Sequence, residues 1–356
     1  MKPFAFLLLL AASIGSYAQK AEPDPVTRFY YLSGTIDKYP VTFLLHRINE
    51  EFSGGYYYHS SGTPIDIAGK LDKTGLLTLN HLANDENNNE VIEGVFKDSS
   101  FSGTWQSKGK MLSFRVAEAK DNSALQFDYI WTHGTRKIKD KPSHMSHLEG
   151  LSYEARTIWP AAGSKHPSKE LIQQNIRILY SEKNSSEEIG KILIRNKNKF
   201  LNIPEDSIDL YELVEAVSID YADARIICMS QMWHTYSGGA HGMYGNSYVN
   251  LDLVNNRRIS LSDIIDTVAA KSTVEKMLEQ QFRKNFPFEE GEKLKDVLMV
   301  EKIPITENFM LTGKGIGFNY DPYEIAAYAY GQIFLIIPYK DLRSYLKPDF
   351  KKLMGL

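Results

Sequence analysis

Short runs of alternating apolar and polar residues follow one another from residue 29 to about residue 134. Glycine, aspartate and asparagine interrupt these runs every eight to twelve residues or so, a spacing typical of a β-meander or small barrel. Successive side chains of a strand point to opposite faces, so this alternation indicates strands with one buried face. The pattern therefore predicts an all-β, barrel-like domain over residues 29–135.

A weak repeat in this region places a glycine between flanking apolar or aromatic residues, and it recurs around Gly34, Gly54 and Gly103. Glycine inside a strand marks the close approach of a neighbouring backbone or strong coiling of the strand. We interpret the repeat as hairpins that curl into a barrel, because that explains the glycines better than a ligand site does.

The pattern changes after residues 136–150, a charged segment with few apolar residues that we interpret as a linker. Residues 151–356 mix strand-like runs with apolar residues at helical spacing, and helices are expected after Ser168, Ser185 and Ser272. Strands are predicted over residues 151–160, 216–236, 247–253, 307–311, 315–320 and 332–338, and a closing helix over residues 339–346. The predicted fold class is α+β, with an N-terminal all-β barrel-like domain followed by a C-terminal α+β domain that has a mainly antiparallel sheet.

The first 18 residues have the three parts of a secretory signal peptide. Lys2 supplies the positive charge, residues 4–12 are apolar, and Ser16 and Ala18 fit the small-residue cleavage rule. The apolar part is too short to cross a bilayer, and no later stretch reaches about 18 apolar residues. We expect a signal peptide over residues 1–18, a polar lead-in over residues 19–28, and a periplasmic or extracellular location without a membrane span in the mature chain.

Composition narrows the classes of partner. With 41 basic and 44 acidic residues, the net charge of −3 does not indicate a nucleic acid or an anionic membrane. The single cysteine, Cys228, rules out an intrachain disulfide and lies in an apolar run, as expected of a buried thiol. The 21 tyrosines suit either a tyrosine-rich sheet core or a surface that contacts carbohydrate or protein.

A glycine-rich elbow between two predicted strands is the first candidate for chemistry. Gly238 and Gly239 permit positive φ angles, and the elbow carries His241, with His234 before it. The two histidines match no known zinc spacing, and the sequence around Ser237 does not match a nucleophile elbow. A structural turn or binding loop is the favoured interpretation, with protein or glycan contact and metal or catalytic chemistry as alternatives.

A tyrosine-rich segment near the C-terminus is the second candidate. A predicted strand ends at Tyr320, and Tyr323 and Tyr328 follow in a loop. Asp321 and Glu324 have a spacing that could pair two carboxylates for glycoside chemistry. Asp321 before a proline is more simply explained as a turn residue.

The two segments together carry a family resemblance. Residues 236–242 (Tyr-Ser-Gly-Gly-Ala-His-Gly), 248–253 and 259–265 resemble the secreted bacterial DUF3298 domain, which is usually preceded by a DUF4163 segment. Residues 318–326, with the Ile-Ile-Pro-Tyr run at residues 336–339, resemble the C-terminal signature of the same family. The resemblance covers about residues 150–346.

The resemblance implies an envelope-facing binding module. The family includes the extracellular part of a lysozyme-sensing anti-sigma factor and the non-catalytic part of a peptidoglycan deacetylase. This chain departs from both, because its sequence shows neither a transmembrane or sigma-binding segment nor a polysaccharide deacetylase domain.

Our first hypothesis is therefore a secreted or periplasmic, non-enzymatic module that binds peptidoglycan or a lysozyme-like protein. The alternatives are a metal-dependent hydrolase of cell-wall material that uses His234 and His241, and a structural envelope protein with no small ligand. No catalytic residue, metal ligand or cofactor is assigned. The candidate ligand-binding residues are His234, Tyr236, Gly238, Gly239, His241, Tyr244, Tyr320, Tyr323 and Tyr328.

Overall fold

The computed structural model describes residues 25–82, 89–118, 125–139, 150–286 and 291–356. The predicted signal peptide and most of the lead-in lie outside these ranges, as do residues 140–149 of the predicted linker. The fold class is confirmed: an antiparallel barrel precedes a domain with helices and a mostly antiparallel sheet.

Eight antiparallel strands form the barrel, and pairing of the first strand with the eighth closes it. The strands are β1 (Thr27–Ile36), β2 (Tyr39–Ile48), β3 (Glu51–Tyr58), β4 (Ile65–Leu71), β5 (Leu76–His81), β6 (Val91–Lys97), β7 (Ser100–Ser107) and β8 (Lys110–Glu118). The interior is aromatic and aliphatic, as shown by Phe43 and Phe101, which are both fully buried. A Cβ atom on Gly103 would overlap the carbonyl oxygen of Glu93 on the neighbouring strand, and Gly34 is equally crowded. The repeated glycines therefore allow neighbouring strands to approach, as the sequence predicted.

Six strands form the central sheet, in the order β14-β13-β12-β11-β10-β9. They are β9 (Phe127–Lys137), β10 (Gly150–Pro160), β11 (Glu212–Ala222), β12 (Ile226–Tyr236), β13 (Met243–Asp252) and β14 (Arg257–Ile259). Only β10 and β11 pair in parallel among these strands. The predicted single strand over residues 216–236 is two strands, because the Asp223 carboxylate accepts the N–H groups of Arg225 and Ile226 and closes a turn.

The placement of β9 differs from the sequence interpretation, which put residues 127–131 in the barrel domain. The barrel is already closed by the pairing of β1 with β8, so β9 pairs with β10 instead. As a result, residues 127–137 belong to the central sheet, and Trp131 lies directly opposite Arg156.

Helices cover one face of the central sheet and support the small sheet described next. They are α1 (Lys169–Leu179), α2 (Ile189–Leu201), α3 (Leu261–Ile264), α4 (Thr267–Asn285), α5 (Leu294–Val297), α6 (Tyr339–Leu342) and α7 (Pro348–Met354). The start of α4 was predicted at Ser272, but Asp266 caps it earlier by accepting the N–H groups of Val268 and Ala269. Within the described ranges, the helices are all too short or too polar to cross a lipid bilayer.

A small sheet of three antiparallel strands, β15 (Phe309–Leu311), β16 (Gly315–Tyr320) and β17 (Ile333–Pro338), packs beside β13. Two asparagines join the sheets reciprocally. Asn250 on β13 donates to the carbonyl of Phe309 (2.7 Å) and accepts the N–H of Leu311 (2.8 Å). In return, Asn308 donates to a carbonyl of β13 and accepts the N–H of Tyr248. These side chains bring the tyrosine-rich segment beside the glycine-rich elbow.

Glu215 on the helix-covered face gives the first testable prediction. Burial raises the pKa of its carboxyl group to about 7, and Gln231 donates to the carboxyl at 3.1 Å. The folded protein therefore binds more protons than the unfolded chain between about pH 4.5 and pH 7, and stability is lost as the pH rises through that window. We expect Glu215→Gln to raise the free energy of unfolding at pH 8 by about 1–2 kcal/mol. This is less than the full pKa shift would give, because the side chain keeps some solvent contact that screens the charge. Urea denaturation at pH 5 and pH 8 measures this, and an equal effect at both pH values would contradict the titration argument.

Candidate aromatic binding site

The hairpin formed by β12 and β13 positions the glycine-rich elbow. Tyr236 ends β12, Met243 begins β13, and Gly238 in between adopts a φ of +91°, which a side chain would disfavour. Before the turn, His234 lies directly opposite Tyr244. A Cβ atom at residue 242 would overlap the imidazole of His234 and lie 2.8 Å from the backbone carbonyl oxygen of Thr235, so a side chain there would force a rearrangement.

His241 contacts the tyrosine-rich segment through its ring and its Nε2 atom, and its Nδ1 atom contacts the elbow. Its imidazole stacks on Tyr328 with ring centroids 3.8 Å apart and an interplanar angle of 23°. Its Nδ1 lies 2.9 Å from the carbonyl oxygen of Gly242, so Nδ1 carries the proton and donates it. In the neutral ring Nε2 is then an acceptor, and the hydroxyl of Tyr323 lies 3.4 Å from it.

Tyr323 has an unusual backbone conformation for an exposed aromatic residue. Its φ is +70°, in the left-handed region, and its side chain is 46% exposed. A bulky residue in that region costs on the order of 1–3 kcal/mol, and such residues cluster at ligand-binding sites. The N–H of Tyr323 donates to the carbonyl of Ala326 at 3.1 Å, which holds the loop in this conformation.

Tyr244 and Tyr236 complete the elbow side of the site. The ring of Tyr244 meets Tyr328 edge to face with centroids 5.8 Å apart, and the hydroxyl of Tyr236 donates to the carbonyl of Gly239. The Tyr328 hydroxyl donates in the same way to Gly242. Burial raises the pKa of Tyr244 and of Tyr328, so both phenols are neutral at physiological pH. We call His241, Tyr244, Tyr323 and Tyr328 the aromatic cluster.

Asp321 anchors the tyrosine-rich segment to β13. One of its carboxylate oxygens accepts the N–H of Asn246 (3.0 Å), the amide of Asn319 (2.9 Å) and the amide of Gln332 (2.9 Å). Glu324 accepts the N–H of Asp321 and so caps the same turn. The two carboxylates are thus engaged in holding the loop, which agrees with the turn interpretation rather than with glycoside chemistry.

Tyr320 does not belong to this surface, although it was among the candidate contact residues. Its side chain is fully buried, and its hydroxyl donates to the carbonyl of Pro304 at 2.5 Å. All six residues of β16 are buried, so the strand that ends at Tyr320 faces the core on both sides. A ligand at the aromatic cluster cannot reach this ring.

The two histidines are committed to different partners. His234 places Nδ1 3.2 Å from the carboxylate of Glu212, whereas His241 faces Gly242 and Tyr323. Across the ranges the structure describes, His, Cys, Asp and Glu side chains form no group of three or more suited to a metal ion. A zinc site needs three or four such ligands brought together, which this part of the chain does not provide.

A pair of stacked rings on β9, with its partner on β10, was not among the residues that the sequence singled out. Trp131 and His133 stack on each other with centroids 4.1 Å apart, and Trp131 donates to Glu154 at 2.7 Å. The alternation of aromatic rings at residues 129, 131 and 133 was visible, but the strand was assigned to the wrong domain.

The fold and the site define a β-barrel joined to an α+β domain whose elbow carries an aromatic cluster. Residues 262–340 match the model of a protein family described as a protein of unknown function, DUF3298, so the chain carries a DUF3298 domain. The recognition of this family from the sequence is confirmed for that region.

Two solved structures are similar to this chain. One is a member of the DUF3298 family from Bacteroides fragilis, with 21% identity and a TM-score of 0.56, covering 67% of this chain and 100% of that chain. The other is a DUF3298 family protein from Pseudomonas aeruginosa, with 18% identity and a TM-score of 0.41, covering 64% of this chain and 97% of that chain. No curated protein matches the chain. At these identities, the first likeness supports the fold alone.

Proposed function

We propose that this protein is an exported binding module that holds a cell-wall glycan at the aromatic cluster. The observation that carries the proposal is the stack of His241, Tyr328 and Tyr323, three rings with interplanar angles of 23° to 38° that hydrogen bonds fix in place. The exposed, conformationally strained Tyr323 adds to it, because strained residues cluster at ligand-binding sites.

The chemistry of the cluster favours a carbohydrate over a charged ligand. The phenols of Tyr244 and Tyr328 are neutral, and flat rings with polar edges match the alternating apolar and hydroxyl surfaces of a sugar ring. The predicted signal peptide and the family resemblance favour an envelope location and, as the ligand, peptidoglycan. A lysozyme-like protein is the other ligand that the resemblance suggests, and a preceding DUF4163 segment belongs to the same proposal.

A sedimentation assay with insoluble peptidoglycan, paired with capture on immobilised lysozyme, tests the proposal. The purified chain over residues 19–356 is compared with His241→Ala and Tyr323→Ala, and each variant is checked for an unchanged melting temperature. We expect peptidoglycan binding to weaken by about tenfold in each variant, because each loses one ring of the stack.

Tyr39→Ala is the matched control, since Tyr39 on the barrel is 45% exposed and Tyr323 is 46% exposed. The control should bind as the unmodified chain does. Binding to lysozyme alone would replace the glycan with a protein ligand. Absence of binding to both would leave a structural envelope protein, and equal binding by all variants would move the site elsewhere.

A further inference from the structure

Two rows of side chains cross the central sheet from the aromatic cluster to its far edge. The strand register places the members of each row directly opposite one another, and directly opposed residues share one face of a sheet. The first row is Tyr244, His234, Val214, Glu154 and His133. The second row is Asn246, Met232, Ala216, Arg156 and Trp131. With strands about 4.8 Å apart, each row spans about 19 Å from β13 to β9.

The rows lie on the face opposite to helices α1 and α2. Gly134, the neighbour of His133 on β9, lies against Leu201 of α2. Tyr153, the neighbour of Glu154 on β10, lies against Phe200 of α2. Neighbouring residues of a strand point to opposite faces. The row residues therefore point away from the helices. His133 is exposed, whereas Trp131, Met232 and His234 are half-buried, so solvent reaches the rows at several points.

Aromatic rings lie at both ends of the rows. At one end Tyr244 contacts Tyr328, which makes the rows continuous with the aromatic cluster. At the other end Trp131 and His133 stack with an interplanar angle of 16°. Polar and aliphatic side chains fill the interval between these ends.

The charged side chains of the rows, Arg156 and Glu154, balance each other, because they lie 2.6 Å apart. His234 lies 3.2 Å from Glu212, a residue outside the rows, and forms an ion pair with it only when protonated. A surface that balances its own charges does not attract a polyanion, which needs an excess of basic side chains. Hydroxyl and amide groups can instead share hydrogen bonds with these paired side chains, so the electrostatics favour an uncharged polar polymer.

We propose that this face extends the binding site and holds a linear, uncharged glycan that runs across the strands from Tyr328 to Trp131. The proposal rests on the proposed function, because the aromatic cluster supplies the first part of the site. Affinity should then depend on the length of the glycan, since only a longer oligomer reaches the stack of Trp131 and His133.

Titration calorimetry with β-1,4-linked N-acetylglucosamine oligomers of increasing length tests the extension on the full chain. For the unmodified protein we expect a gain in affinity of about tenfold or more between the shortest and the longest oligomers. Trp131→Ala and His133→Ala should each remove most of that gain while leaving the affinity for the shortest oligomer unchanged. Tyr328→Ala should weaken binding at every length.

The outcomes separate the two proposals. His133→Ala is the variant whose fold should be unaffected, because the His133 side chain is exposed and lies outside the core. Loss of the length-dependent gain in this variant therefore does not come from misfolding. A length-dependent gain that survives in both variants would overturn the extension while leaving the aromatic cluster as the site. Absence of binding to every oligomer by the unmodified protein would overturn the extension together with the glycan-binding function.

Discussion

Replacing Asn250 with alanine is expected to lower the free energy of unfolding by about 2–5 kcal/mol. The amide of Asn250 is buried and completes two backbone groups of β15, the carbonyl of Phe309 and the N–H of Leu311. Alanine would leave both groups buried without a partner, at about 1–3 kcal/mol for each. Chemical denaturation of the variant measures the loss.

Asn202→Ala is the matched control for this substitution. The amide of Asn202 also donates to a backbone carbonyl, that of Asn198, but it does so at an exposed helix end. We expect that variant to lose no more than about 0.5 kcal/mol, as exposed substitutions usually do. A similar loss in both variants would show that Asn250 does not join the two sheets as the contacts indicate.

The role of Asn250 illustrates why motif residues need not be functional residues. Within the motifs that resemble the family, Asp252 accepts the N–H groups that close the turn into β14, and Asp263 forms a capping box with Ser260. Asp321 holds the tyrosine-rich segment. These side chains build the frame, whereas His241 and Tyr323 are the motif residues on which the proposed glycan site depends.

Local patterns were sufficient for most of the fold. Alternation in the barrel, glycine at Gly103, and the strand ending at Tyr320 are properties of a few neighbouring residues, so the sequence predicted them. The sheet to which β9 belongs depends on whether β1 and β8 close the barrel, a contact between residues far apart in the chain. The alternation of apolar and polar residues identifies a strand but does not indicate which distant strand it pairs with.

The candidate site was predictable in part for the same reason. The elbow and the tyrosine-rich segment each stood out locally, and the structure brings His241 and Tyr328 into contact. Burial of Tyr320 and the stack of Trp131 on His133 depend on strand register and on long-range packing. Neither follows from residue type or spacing along the chain.

His46 makes the attachment of the barrel to the central sheet sensitive to acid. Its ring is 6% exposed and lies between Phe29 and Tyr129, with centroids 5.3 and 4.8 Å away. Nearby, Tyr31 and Tyr57 of the barrel donate to the carbonyl of Ala222.

Burial lowers the pKa of His46 to about 4, partly offset by a hydrogen bond to the backbone of Ser53, and nearby Arg156 lowers it further. Its Nε2 has no hydrogen-bond partner, so a proton added there would be buried without compensation.

The direction of the effect follows from the lowered pKa. Between about pH 6.5 and pH 4 the unfolded chain binds a proton at His46 that the folded protein does not, so stability falls as the pH is lowered through this window. The full shift corresponds to about 3 kcal/mol. We expect His46→Phe, which keeps an aromatic ring between Phe29 and Tyr129, to remove that part of the acid sensitivity.

Urea denaturation of both proteins at pH 7.5, 5.5 and 4.5 provides the measurement. The difference in unfolding free energy between His46→Phe and the unmodified chain should grow steadily in favour of the variant as the pH falls. Because the titration of Glu215 changes stability in the opposite direction over an overlapping pH window, the comparison between the two proteins isolates the histidine where a single pH profile would not. A difference that stays constant with pH would mean that His46 is protonated equally easily in the folded and unfolded states, and that burial at this interface does not oppose its charge.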